Sequence, residues 1–219
     1  MKRLLLLLMA ILLTGCLDLG INVKIAKDWS GELALKVEML DQVFQMLISP
    51  QLGQQTGVDL SLIDEEKLRA LIADHGGQVR SYSNTLENGV RIIEMQAAVP
   101  NVRKLLEQSG GDQITIKRDG DLWTLNVGDN ATLNTFLNME DELLEQQLTM
   151  LAPSLTGLKM SLNIQVPELL ETNLSHSGNT ATFAMDFDED VTGKTGRQAV
   201  LAFKKMLAPK TVKFKGPVE

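Results

Sequence analysis

The chain has 219 residues, a formal net charge of −7, 44% hydrophobic residues, one cysteine and two histidines. The acidic balance argues against a nucleic-acid binder, whose affinity rests on Lys and Arg neutralising phosphates. A lone thiol allows no intramolecular disulfide, and two histidines leave no transition-metal ligand set, so neither a metal nor a cofactor is expected.

Lys2 and Arg3 precede an apolar run from Leu4, which closes on Leu13-Thr14-Gly15-Cys16. A basic start, a short apolar stretch and small residues at a cut are the parts of a secretory signal. A spanning helix needs about 20 apolar residues, and this run stops short of that. The cysteine behind the small residues makes the segment a bacterial lipobox. Residues 1–15 are predicted to be a signal peptide. Cys16 is predicted to carry lipid, with palmitate-type acyl chains, and to open a mature domain of residues 16–219. Two or more chains, at about 0.8 kcal/mol per buried CH₂, give stable anchoring. Cleavage removes Lys2 and Arg3, so Lys+Arg falls from 21 to 19 against 28 Asp+Glu, near −9. Leu17, rather than Asp, stands second in the mature chain. That favours the outer membrane, facing the periplasm, if the host has two membranes.

Ile21, Val23 and Ile25 alternate with polar residues, and so do Leu33, Leu35 and Val37, with turn residues Asp28 to Gly31 between them. This is the pattern of a β-hairpin. Met39 to Met46 has helical spacing, ended by Pro50 and Gly53. Asp64 is placed to cap a helix over Glu65 to Asp74, stopped by His75-Gly76-Gly77. Strands at Val79 to Leu86 and Val90 to Val99 flank Asn88-Gly89, a strong hairpin signal. A short helix follows over Pro100 to Gln108, closed by Gly110-Gly111. A third hairpin joins Gln113 to Arg118 with Leu122 to Val127. Asn130 or Thr132 caps one long helix to about Leu151. Its apolar stripe includes Leu144 and Leu148, and its solvated side Glu140, Asp141, Glu142 and Glu145. Strands over Lys159 to Val166 and Thr180 to Asp188, a helix over Gly196 to Leu207 and a strand over Thr211 to Lys215 complete the chain. The order ββ-αα-ββ-α-ββ-α-ββ-α-β predicts an α+β fold, with a largely antiparallel sheet built from hairpins and helices packed on one face.

The lipobox is followed at once by the hairpin from Leu19 to Glu38. Further on come the strand pair Val90 to Pro100, Ile114 to Trp123 with its Asp-Gly turn, and the run Ile164-Gln165-Val166-Pro167, Thr172-Asn173 and Ser177 to Phe183. In these segments the chain resembles the LppM-like family of bacterial lipoproteins. The resemblance implies an α+β envelope domain, not an enzyme, that contacts lipids or envelope partners. Some relatives carry a C-terminal membrane helix. Here Lys213-Phe214-Lys215-Gly216 stands instead of an apolar run, so no spanning segment is expected there.

Three motifs are set aside. Gly193-Lys194-Thr195 has Asp188 where a phosphate loop needs its first glycine, so Thr195 reads as a helix cap. Asp186, Asp188 and Asp190 lack the glycine and distal glutamate of a calcium loop, so they read as the wet side of a strand whose Phe183, Met185 and Phe187 face inward. His75 and His176 read as exposed loop residues, and no Gly-x-Ser-x-Gly nucleophile elbow accompanies them.

Charge is unevenly spread. Lys194, Arg197, Lys204, Lys205, Lys210, Lys213 and Lys215 face only Glu219 within residues 194–219, whereas residues 16–193 carry 12 cations and 27 anions. The C-terminal strand is expected to pair near the N-terminal one. Lys204, Lys205, Lys210, Lys213 and Lys215, with Lys24 and Lys27 near the anchor, are then expected to meet anionic headgroups, at about 1 kcal/mol each. The function expected is non-catalytic: a membrane-anchored envelope lipoprotein that binds a lipid, an apolar ligand or an envelope protein partner. The Met/Leu-rich segment Met39 to Leu62 is its expected adaptable element. The alternative is an assembly lipoprotein that acts only through protein–protein docking.

Overall fold

The computed structural model describes residues 17–47, 63–109, 114–128 and 131–216. The signal peptide, Cys16, the helix stop at Pro50 and Gly53, most of Met39 to Leu62, Gly110-Gly111 and Asn130 lie outside the described residues.

Eleven strands form two sheets among the described residues. β1 (Leu17–Ile25), β2 (Gly31–Leu40), β3 (Gln78–Glu87), β4 (Val90–Val99), β7 (Lys159–Gln165), β9 (Ser175–Ser177) and β10 (Thr180–Asp186) make a seven-stranded sheet in the order β3-β4-β2-β1-β7-β10-β9. β5 (Ile114–Asp119), β6 (Leu122–Val127), β8 (Glu168–Thr172) and β11 (Lys210–Lys215) make a second, in the order β5-β6-β11-β8. All pairings are antiparallel except β1 with β7. The helices are α1 (Asp41–Leu47), α2 (Glu65–Asp74), α3 (Val102–Ser109), α4 (Ala131–Leu137), α5 (Asp141–Leu155), α6 (Phe187–Asp190) and α7 (Arg197–Leu207). The fold is α+β and mostly antiparallel.

Strand alternation sorts the large sheet into two chemistries. One rung reads Phe183, Leu162, Ile21, Leu35, Met95, and the rung one residue along reads Thr182, Asn163, Asn22, Ala34, Gln96. Successive side chains on a strand point to opposite faces, so the first set turns inward and the second outward. Three layers lie against the inward face. α1 contributes Val43 and Phe44, and α2 contributes Leu68 and Ile72. The second sheet contributes Trp123, Leu125, Val212 and Phe214 to the same core.

Trp29 clamps the two sheets at the β1–β2 turn. Its ring meets Trp123 edge-on at 4.8 Å and 85°, and Phe214 at 6.1 Å. Trp29 holds φ at 65°, a left-handed conformation that costs about 1–2 kcal/mol for an L-residue. Burying the indole to 4% exposure offsets that cost. The turn is fixed by Asp28, whose Oδ1 accepts from the Ser30 amide at 3.0 Å and hydroxyl at 2.6 Å. Gly31 is required next to it, because a Cβ there would lie 2.1 Å from the Lys24 carbonyl oxygen.

The Asp64 cap is present, with its carboxylate accepting from the Lys67 amide at 3.1 Å. Asn88 and Gly89 both take positive φ, 52° and 82°, as a type I′ hairpin turn demands. Other expectations need correction. Met39 and Leu40 end β2, and the helix starts only at Asp41. The long helix to about Leu151 is two helices, broken at residues 138–140. The Lys204 ammonium pins the break by donating to the Met139 carbonyl at 2.9 Å and to Asp141 Oδ1 at 2.8 Å. Thr195 does not cap α7. Gly196 holds that position at φ 58°, ψ −140°, with no side-chain cap bond.

The C-terminal strand does not pair near the N-terminal one. It begins at Lys210, lies between β6 and β8 and belongs to the other sheet. β8, β9 and α6 had no counterpart in the sequence reading. The strand expected to run to Asp188 stops at Asp186, and Phe187 opens α6 fully buried. Asp186 Oδ1 accepts from the Asp188 and Glu189 amides, and Asp188 Oδ2 accepts from the Gly157 amide at 2.9 Å. These carboxylates satisfy helix-end donors rather than simply facing water.

Candidate functional site

The inward face of the large sheet is not evenly covered. On the rung of Phe183, Leu162 and Ile21, those three are half-buried, while Leu35 and Met95 are nearly sealed at 6% and 4% exposed. The next rung repeats the contrast. Met185, Met160 and Leu19 are half-buried beside Val37 at 3% and Ile93 at 0%. Rungs nearer the Trp29 turn are closed by the second sheet, which buries Val23, Ile164 and Ala181. One corner of the inward face, on β1, β7 and β10, thus remains a half-covered apolar strip. It lies next to Leu17, at the end of β1 that follows Cys16.

Lys210 stands beside this strip. It shares the inward side of β11 with Val212 and Phe214, both about 1% exposed. Its ammonium lies 5.0 Å from the centre of the Phe183 ring and donates to the Lys205 carbonyl at 3.1 Å. Burial first, and then the charge of Lys205, hold its pKa below the usual lysine range. Among the described residues it has no carboxylate partner, although the same alternation that directs Val212 inward directs it there too. The reading of residues 204–215 as one basic group missed this. The signal available was parity: Lys210, Val212 and Phe214 are two residues apart.

Lys204, Lys213 and Lys215 of the expected basic group are engaged elsewhere. Lys204, 23% exposed at its side chain, is held at the α4–α5 break by Asp141, whose carboxyl its ammonium keeps below the ordinary range. Lys205 is exposed at the end of α7. Lys213 meets Glu171 at 2.7 Å, and Lys215 lies 3.8 Å from Asp121. On the outer face of the second sheet, Lys117, Lys213 and Lys215 share rungs with Glu171, Glu168 and Asp119. Of the cations clustered in sequence, Lys204, Lys213 and Lys215 are therefore balanced in space.

Their position differs as well. Phe214 touches Trp29 at the turn end of β1, so Lys213 and Lys215 lie toward the end remote from Leu17. Nine strand residues separate the two ends by about 26 Å. Lys24 is also at the far end, 3.6 Å from Glu32.

Among the described residues, recesses of two kinds lie outside the strip. One, of about 380 Å³, is on the outward face of the large sheet and has a mixed polar and apolar lining. There the Thr182 hydroxyl donates to Asn163 Oδ1, and Asn163 Nδ2 donates to Asn22 Oδ1, each at 2.8 Å. Glu32 is its one carboxylate, held below the ordinary range by a hydrogen bond from Arg80 and by the charge of Lys24. The other, of about 570 Å³, lies at the α4–α5 break between Asn134 and Leu143. His75 is not an exposed loop residue. It ends α2 half-buried, its Nδ1 2.8 Å from the Leu71 carbonyl and its Nε2 buried without a partner. His176 is exposed on β9. Among the described residues, no three acidic, histidine or cysteine side chains gather as a metal site, and no helix is long and apolar enough to cross a membrane.

No family model and no curated protein matches this sequence. Among solved structures, the NMR structure of the folded domain of the Mycobacterium tuberculosis LppM protein is similar, with a TM-score of 0.43 and 11% identity. The match covers 94% of this chain and 92% of that one.

Proposed function

We propose that this chain is a non-catalytic, lipid-anchored protein of the bacterial cell envelope that holds an apolar ligand against the inward face of β1, β7 and β10. The observation that carries the reading is the half-covered strip. Leu19, Ile21, Met160, Leu162, Phe183 and Met185 are less buried than their partners on the same rungs. Closing an apolar surface against a hydrocarbon is favourable by about 25 cal/mol per Å². Acylation of Cys16 would hold the Leu17 end of the sheet at a bilayer and put the strip within reach of lipid. Leu40 and Leu86, 38% and 53% exposed, stand at that same end.

The test has two parts. Radiolabelled palmitate is expected to label the full chain in cells and to leave the Cys16→Ser variant unlabelled and released from membranes. Mass spectrometry of lipids bound to the released, folded protein is expected to find a stoichiometric apolar ligand. A labelled, membrane-held Cys16→Ser protein would remove the anchor, and a ligand-free protein would remove the strip as a site.

A second reading, docking to another envelope protein, is favoured by Leu143 and Met150, two turns apart on α5, and by Leu201 on α7, all exposed at 47% or more. Recovery of a defined partner that is lost on Leu143→Ser/Met150→Ser, with no ligand on the strip, would put it first.

A further inference from the structure

We infer that Lys210 is the anion-recognising residue of the strip, so that its ligand is an amphiphile with a single negative head on an apolar chain. The inference rests on the proposed apolar site and adds the class of molecule it selects. Three other described lysines have found counter-charges: Lys159 with Asp186, Lys204 with Asp141, Lys213 with Glu171. Lys210 has a carbonyl, an aromatic face and a second cation, Lys205, for company. A half-buried ammonium without an anion is costly, and a core position next to Val212 would be better filled by an apolar residue. An anion delivered from outside removes that cost. Hydrogen bonds to an ionised acceptor are about twice as strong as neutral ones.

The geometry sets the polarity of the ligand. Lys210 sits over Phe183, on the rung of Leu162 and Ile21. The apolar strip continues from there through Met185, Met160 and Leu19 toward Leu17. A head bound at Lys210 therefore lays its chain along β1, β7 and β10 toward the end that Cys16 would hold at the membrane. A fatty-acid carboxylate and an alkyl phosphate share this chemistry.

The experiment uses the full chain in isolated membranes, where added probes are not metabolised. Three photoreactive, alkyne-tagged C16 probes are compared: palmitate, hexadecyl phosphate and hexadecanol. Crosslinked peptides are identified by mass spectrometry. All three are expected to label residues 159–165 or 180–186. Lys210→Met is expected to cut labelling by one or both anionic probes about tenfold while hexadecanol labelling stays unchanged. Lys210→Arg is expected to restore the anion, and the probe with the larger loss identifies the head. Equal labelling by the anionic probes in wild type and Lys210→Met, with the strip still labelled, would overturn the role of Lys210 and leave the apolar site standing. Strip peptides unlabelled by every probe would overturn both.

Discussion

The two halves of one sheet face can be compared rung by rung. Leu35 and Met95 are sealed under helices, whereas Ile21, Leu162 and Phe183, on the same rung, are half-buried. Residue type does not explain the difference, since Leu, Ile and Met stand in both halves. What differs is the cover. α1 and α2 lie on the β2–β4 side, and the second sheet reaches only the rungs nearer the Trp29 turn. A sequence of apolar strand residues therefore specifies a face that wants to be dry. The topology decides whether the protein itself dries it.

The largest test of this contrast is a pair of truncations. Ile93→Ala removes a fully buried side chain and is expected to cost about 3–4 kcal/mol in urea unfolding. Leu162→Ala removes a half-buried one and is expected to cost about 1–2 kcal/mol. Equal losses would show that the two halves are equally packed and would break the comparison.

A smaller effect is expected at Lys210. Its folded pKa is lowered, so the folded chain binds fewer protons than the unfolded one between the folded value and the unfolded value near 10.4. Stability should therefore rise with pH through that interval. At neutral pH Lys210→Met should stabilise the ligand-free protein by less than about 1 kcal/mol, after allowance for solvent screening, and the gain should vanish at strongly alkaline pH. A destabilised Lys210→Met would mean that the ammonium has a structural partner.

The smallest effects, group by group, belong to the exposed carboxylates. Asp28, held by the Ser30 hydroxyl and amide, Glu32 by Arg80, Asp141 by Lys204 and Asp186 by Lys159 all have lowered pKa values. Their stabilisation is present above the unfolded carboxylate range near pH 4 and is lost as pH falls through the folded values. Thermal melts should drop below about pH 4 and stay level from pH 5 to 8. A melting temperature unchanged at pH 3 would show that these pairs contribute nothing.

Much of the strand content was legible because its signals are local. The Asn88-Gly89 turn, the Asp64 cap and the alternation of Ile21, Val23 and Ile25 each rest on neighbours in the chain. Elements that depend on distant partners were not legible. The helix break at residues 138–140 is held by Lys204, and β8 forms against β11. The strip itself could not be read from apolar residues alone, because exposure is a property of what lies above them.

By itself the sequence determined the α+β class, the hairpins and the inward and outward alternation of strands such as β1 and β2, because turn chemistry and the two-residue period act over a few ångströms. The inward position of Lys210 was not read from it, although the spacing to Val212 and Phe214 carried the signal. Only the tertiary structure decided that β11 joins a second sheet rather than β1, that Glu171 and Asp121 pair with Lys213 and Lys215, and that one corner of the inward face stays half-covered. Each of these is a matter of which surfaces meet, and the free energy of such a meeting belongs to pairs of residues far apart in the chain.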